Sequence, residues 1–289
     1  MPRSVPRDRT LPARPVTGPG AAVPSRPIPI EVGPYLAELV RRTHAVYGDR
    51  LLSVFAVGSL ALGDYRHGRS DIDITVVVAS GGPERLVHDL AEALAHPALD
   101  CPAPGLELVV YDADFAASGA PEPGYLLNLN TGPLLPAVAD FDTAEAPAFW
   151  YVIDRAVAHQ SGLPLFGRAV REVLAAPRRI DLLAAVAASV DEHASGPGHL
   201  ADNRVLNGCR AVYFCRTGRW VAKREAGRAI VAAGDGFGAL VGEALRSFER
   251  PRARAAELPA AQVGEFSAWV GRTVAATARR EAAEGSVEP

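Results

Sequence analysis

The chain has 289 residues, 48% of them hydrophobic, enough to bury one or two cores. Its formal net charge of −3 gives no global electrostatic case for a nucleic-acid partner, and no apolar run approaches a membrane span. Cys101, Cys209 and Cys215 are odd in number and form no Cys-x-x-Cys pair, which reads as free thiols in a reducing compartment with no zinc site. The arginines near the start lack the apolar stretch of a secretory signal, so a soluble, cytoplasmic, monomeric protein is expected.

Residues 1–28 are dense in Pro and Arg with few large apolar side chains. Such a segment cannot bury enough surface to offset its ordering entropy; disorder is expected, with a basic interaction arm as the alternative. Tyr35, Leu36, Leu39, Val40, Ala45 and Val46 recur at helical spacing and predict a helix over 31–47. The apolar run 53–57 reads as a buried strand. Gly58 and Ser59 end it. A glycine lets the backbone turn sharply and approach a ligand, and Ser59 is placed to cap the short helix that follows, whose outward amides would cradle a phosphate. Twelve residues after Ser59, Asp71-Ile72-Asp73 opens the strand run 74–78. Residues two apart on a strand share a face, so Asp71 and Asp73 point together while Ile72 points into the core. Paired carboxylates repel unless a cation lies between them, and an oxygen-rich pair beside a phosphate cradle suits magnesium.

Pro83 sits near the start of a predicted helix over 83–94, the crossover to a strand over 106–111. Glu107 lies near the start of that strand. A carboxylate in an apolar strand is costly to bury unless paired or coordinating; the alternative is an edge strand with Glu107 facing water. After a small, polar stretch over 112–122, residues 124–133 read as a last strand or an extended edge ended by Thr131-Gly132-Pro133. Asn128 and Asn130 share one face there, either of a half-exposed strand or of a cleft wall. From 146 the pattern is helical, over 149–161, 166–175, 180–193, 202–216, 221–233, 238–248 and 261–281, with breaks at Gly162-Leu163-Pro164 and Ser195-Gly196-Pro197-Gly198. The expected fold is therefore an α/β domain with a mixed sheet over 29–145, followed by an all-α bundle over 146–289. Two basic residues in the bundle stand out. Lys223 is the only lysine in an arginine-rich chain, as if a compact ammonium could not be exchanged there. Arg210 lies on the stripe of a mostly apolar helix and needs a partner, for which a structural salt bridge is the alternative to a ligand.

The order apolar strand, Gly58-Ser59, spacer, then Ser70-Asp71-Ile72-Asp73 heading a second apolar strand resembles the DNA polymerase beta-like nucleotidyltransferase superfamily. In that superfamily the two aspartates bind magnesium and a third carboxylate arrives from a neighbouring strand, which makes Glu107 the candidate. Further on, Asn203-Arg204-Val205-Leu206-Asn207-Gly208-Cys209-Arg210, Thr217-Gly218-Arg219-Trp220 and Lys223-Arg224-Glu225 are similar to the C-terminal domain of the aminoglycoside adenylyltransferases that modify streptomycin and spectinomycin. The resemblance implies ATP as co-substrate and a small-molecule hydroxyl acceptor. It implies Gly58, Ser59, Ser70, Arg210 and Lys223 around the nucleotide, Asp71, Asp73 and Glu107 on the metal, and Glu107 as catalytic base. Since Arg210 and Lys223 belong to the helical half, domain closure around ATP is expected to complete the site. Streptomycin-modifying members hold the drug with a tryptophan of the catalytic domain and an acid just before the Asn-Arg helix. Here the matching stretches, 125–130 and 195–199, contain neither, and Asp191, Glu192 and Asp202 flank the second gap as substitutes. Losing an aromatic face and a carboxylate favours spectinomycin, or another aminocyclitol, over streptomycin. Transfer onto a protein or a metabolite, and a non-catalytic nucleotide-binding module, are the alternatives.

Overall fold

The computed structural model describes residues 27–195 and 200–285. The arm expected over 1–28 lies outside the described residues except for its last two, as does Gly196-Pro197-Gly198 of the expected loop. Helix α1 (Gly33–Tyr47) carries Pro34 in its first turn, where the missing N–H removes no helical bond, and buries Tyr35, Leu36, Leu39 and Tyr47. Then come β1 (Leu51–Ala56), α2 (Gly58–Leu62), β2 (Ile72–Val78), α3 (Arg85–Leu94) and β3 (Leu106–Asp112). β1 pairs antiparallel with β2, and β2 parallel with β3. A parallel pair needs a crossover, which α3 supplies while burying Val87, Leu90, Ala91 and Leu94. The polar stretch after β3 holds a short helix, α4 (Ala113–Ser118), capped by Asp112, which accepts from the Phe115 N–H at 3.0 Å. β4 (Leu127–Thr131) and β5 (Val138–Asp140) continue the sheet antiparallel.

After α5 (Ala148–Ser161) the chain returns to the sheet. The helix expected over 166–175 is replaced by strand β6 (Leu163–Gly167), antiparallel to β1, and by one turn of helix, α6 (Val170–Val173). β6 is the outer strand of the order β5-β4-β3-β2-β1-β6, an edge position that tolerates Pro164. The Ser53 hydroxyl fastens it by donating to the Arg168 carbonyl at 2.9 Å. The remaining chain is helical: α7 (Arg179–Ser195), α8 (Ala201–Thr217), α9 (Lys223–Ala233), α10 (Gly238–Phe248) and α11 (Ala260–Gly285). Among the described residues no helix is long and apolar enough to cross a membrane.

Period-two alternation gives the sheet two unlike faces. One is apolar throughout: Val54, Ile72, Ile74, Val76, Leu108 and Leu129 pack with α1 and α3. The other contributes Phe55, Val57, Val77 and Tyr111 to a core continuous with α5 and α7–α11. Between these apolar anchors the second face turns polar, at Asp71, Asp73 and Thr75, at Glu107, and at Asn128 and Asn130. The helical half therefore cannot close on the sheet there, and a cavity of about 480 Å³ remains.

Candidate active site

β2 and β3 set the floor of the cavity. Asp73 stands beside Glu107 in the parallel register, and Glu107 beside Asn130 in the antiparallel one. Asp71 lies at the cavity just before β2, while Ile72 between the aspartates is fully buried on the other face. β3 is an interior strand, so Glu107 is exposed through the cavity and not at a sheet edge. The enclosing walls, then the charges of Asp73 and Asp71, push the Glu107 carboxyl well above its usual range. Burial, then Asp154 and Asp71, does the same to Asp73.

The turn after β1 is built against this floor. Gly58 has φ +49°, and a Cβ there would run into the Asp73 carboxylate, so glycine is required twice over. The Ser59 backbone N–H donates to Asp73. Ser59 does not cap α2 as expected. The N-cap is Val57, without a side-chain bond, because Ser59 already lies within the first turn. Its buried Oγ lines the cavity without a hydrogen-bond partner among the described residues. Ser70 also lines the cavity, and its hydroxyl accepts from the Arg66 N–H at 3.1 Å.

The opposite wall is cationic. Lys223 opens α9 and donates to Asn203 Oδ1 at 3.3 Å; burial, then neighbouring Arg210, lowers its pKa to about 8. Arg210 on α8 lies over the Trp220 ring at 5.5 Å, and its buried Nε has no hydrogen-bond partner among the described residues. The salt bridge that a purely structural Arg210 would need is missing among the described residues. Arg252, in the short turn after α10, donates to both carboxylate oxygens of Asp71 at 3.3 Å.

The loop between α2 and β2 ties the two walls together. Arg69 donates to Asp202 at 2.7 Å in a pair whose side chains are 4% and 0% exposed, and Asp202 also accepts from Ser247 Oγ at 2.5 Å. Asp64 pairs with Arg224, and Arg66 with Glu249 at 2.6 Å. Asp202 is therefore consumed in the anchor and is not available to an acceptor, and Asp191 lines a separate depression with Arg204 and Val263.

All the residues singled out in the sequence, Gly58, Ser59, Ser70, Asp71, Asp73, Glu107, Arg210 and Lys223, line this one cavity, as do Asn128 and Asn130. Sequence reasoning missed Arg252, Trp150 and Asp154. Burial, then the charge of Glu107, raises the Asp154 carboxyl to about 7. Its signal was present: a carboxylate inside the apolar run Phe149-Trp150-Tyr151-Val152-Ile153, the same argument that found Glu107.

The nucleotidyltransferase domain family matches residues 40–99, which include the turn at Gly58 and both aspartates. A search of curated protein sequences returned no match. Among solved structures the chain is similar to the spectinomycin adenyltransferase AAD(9) of Enterococcus faecialis, crystallised with ATP and spectinomycin. The two are 14% identical with a TM-score of 0.62, over 84% of this chain and 98% of that one. Residues 40–99 thus match a nucleotidyltransferase domain, within a chain whose fold is similar to that of a spectinomycin adenyltransferase.

Proposed function

We propose that the protein transfers AMP from ATP to a hydroxyl of a small aminocyclitol, with spectinomycin preferred over streptomycin. The observation that carries this reading is the charge arrangement across the cavity. Asp71, Asp73 and Glu107 face it from the sheet, Arg210 and Lys223 from the helices, and neither cation forms an ion pair with a described residue. A cation held away from water without a counter-charge is costly, and a polyphosphate offers that charge. The likeness to a fold crystallised with ATP and spectinomycin supports the choice of nucleotide and acceptor.

The donor set fits magnesium. Three carboxylates offer hard oxygen ligands, and the repulsion that raises Asp73 and Glu107 is what a divalent cation relieves. Among the described residues no group of three such side chains is already gathered to hold a metal ion, and Arg252 supplies positive charge beside Asp71. Asp71, Asp73 and Glu107 would hold the ion, which when bound neutralises phosphate charge and polarises phosphate oxygens. Glu107 takes the acceptor hydroxyl proton as the oxygen attacks the α-phosphorus and pyrophosphate leaves. Arg210 and Lys223 stabilise the charge that grows on the leaving group. Ser59 Oγ, buried and unpartnered, donates to a phosphate oxygen.

The test is pyrophosphate release from ATP and magnesium over a panel of aminocyclitol and aminoglycoside antibiotics, with Asp73→Asn as the blank. Release with spectinomycin and not with streptomycin is expected. ATP binding without release across the panel would sink the acceptor assignment.

A further inference from the structure

Helix α5 brings Trp150 and Asp154, one turn apart, to the cavity wall. Trp150 is half-buried and meets the His193 ring edge-on, with centroids 5.1 Å apart. His193 is itself fixed. Its Nδ1–H donates to the Ser189 carbonyl at 2.7 Å, so Nε2 is left to accept from the Asn207 amide at 2.9 Å. Asp154 keeps accessible surface in the cavity and makes no hydrogen bond or ion pair with a described residue. Its neighbour Arg155 turns away and donates to the carbonyls of Ala120, Glu122 and Pro123. Arg210 stands on the same wall but outside ion-pair distance. A smaller cavity of about 90 Å³ shares Trp150, Asp154, His193, Asn207 and Arg210 with the main one. It continues between α5, α7, α8 and α11 along the apolar side chains of Ile153, Val186 and Phe266.

A carboxylate with no hydrogen bond or ion pair among the described residues, an aromatic face one turn away and a mainly apolar recess behind them are complementary to an alkyl-substituted ammonium. We propose that α5 forms the ammonium subsite for the acceptor: the Asp154 carboxylate pairs with a protonated amine whose carbon substituents pack on Trp150 and enter the smaller cavity. The proposal rests on the adenylyl-transfer reading for the identity of the acceptor.

The experiment is calorimetric binding, with magnesium and a non-hydrolysable ATP analogue present, of spectinomycin, streptomycin and neutral myo-inositol. It compares the wild type with Asp154→Asn and Trp150→Leu. Pyrophosphate release is followed in parallel with ATP. In Asp154→Asn the affinity for a bound amine falls about tenfold or more, while affinity for the ATP analogue stays within about twofold, which also reports an intact fold. Trp150→Leu loses about three- to tenfold, and myo-inositol is indifferent to both changes. Undiminished amine binding in Asp154→Asn overturns the proposal. So does a matching loss of nucleotide affinity, which would assign Asp154 to positioning Arg210, or a wild type that binds neither amine. Spectinomycin bound through Asp154 but never adenylylated sinks the transferase reading and leaves the subsite standing. Adenylylation that ignores Asp154→Asn does the reverse.

Discussion

Replacing Lys223 by methionine should make the nucleotide-free protein more stable while weakening ATP binding. Burial and Arg210 hold the Lys223 pKa near 8 against an ordinary 10.5, so the fold disfavours the charged ammonium. A tenfold change in proton affinity is about 1.4 kcal/mol, which makes the whole displacement about 3 kcal/mol at neutral pH. Partial solvent contact of the side chain and the lost bond to Asn203 reduce the expected gain to about 1–2 kcal/mol. The sign follows from proton binding. Between pH 8 and 10.5 the unfolded chain holds the proton that the folded chain has released, so wild-type stability from this group rises with pH. The advantage of Lys223→Met is therefore full below pH 8 and shrinks as pH approaches 10.5. Urea unfolding midpoints at pH 7 and pH 9.5 without nucleotide measure this, and calorimetry with ATP measures the loss of affinity. A methionine variant that is destabilised at pH 7, or whose advantage does not shrink with pH, would refute the reasoning.

Glu107→Gln should bind ATP normally and transfer at least about a hundredfold more slowly, as for loss of a general base; near-normal turnover would remove Glu107 from the chemistry. Asp202→Ala leaves Arg69 charged and unpaired in a side-chain environment that is 4% exposed, and should destabilise by about 3–5 kcal/mol in urea unfolding. Gly58→Ala meets both the left-handed φ and the Asp73 carboxylate, so it should destabilise by about 1–2 kcal/mol and abolish transfer; an active variant would show that the turn can shift. Chelation of divalent cations should abolish pyrophosphate release, and added magnesium should restore it.

The floor of the site was legible because strand periodicity alone fixes which side chains share a face. Asp71 and Asp73 follow from that rule, and Glu107 from the cost of a carboxylate in an apolar run. The crossover helix and the resemblance placed the Glu107 strand beside the aspartate strand; the register that sets Glu107 against Asp73 was not legible. The helix expected over 166–175 was misread because its apolar spacing fits a helix as well as a short strand. What decides the matter is the free edge of β1, a tertiary fact with no local signature. Asp154 was not singled out because the stretch 149–161 was read only as a helix, with no face assigned to its charged residues. Adjacent helical residues diverge, and Arg155 turns to the carbonyls of 120–123 while Asp154 turns to the cavity. Arg252 sits in an arginine-rich segment, Arg250-Pro251-Arg252-Ala253-Arg254, where nothing local marks one side chain over another.

Reading the chain as two domains suggested that closure would bring Arg210 and Lys223 to the nucleotide. The packing argues for a smaller motion. The core that begins at Phe55 and Tyr111 on the sheet runs unbroken through Val212 and Trp220 to Phe266, and a wide hinge would return that surface to water at about 25 cal/mol per Å². The α2–β2 loop holds the halves together again through Arg69, Arg66 and Asp64, one of these pairs fully buried. Arg210 and Lys223 already stand at the cavity. The weakest tie across the cavity is Arg252 with Asp71, at 3.3 Å, between side chains that are 34% and 17% exposed, and Arg252 lies in a three-residue turn outside the long helices. A guanidinium at that distance holds its carboxylate weakly, so a cation held by Asp71 and Asp73 would compete with Arg252 for the Asp71 carboxylate.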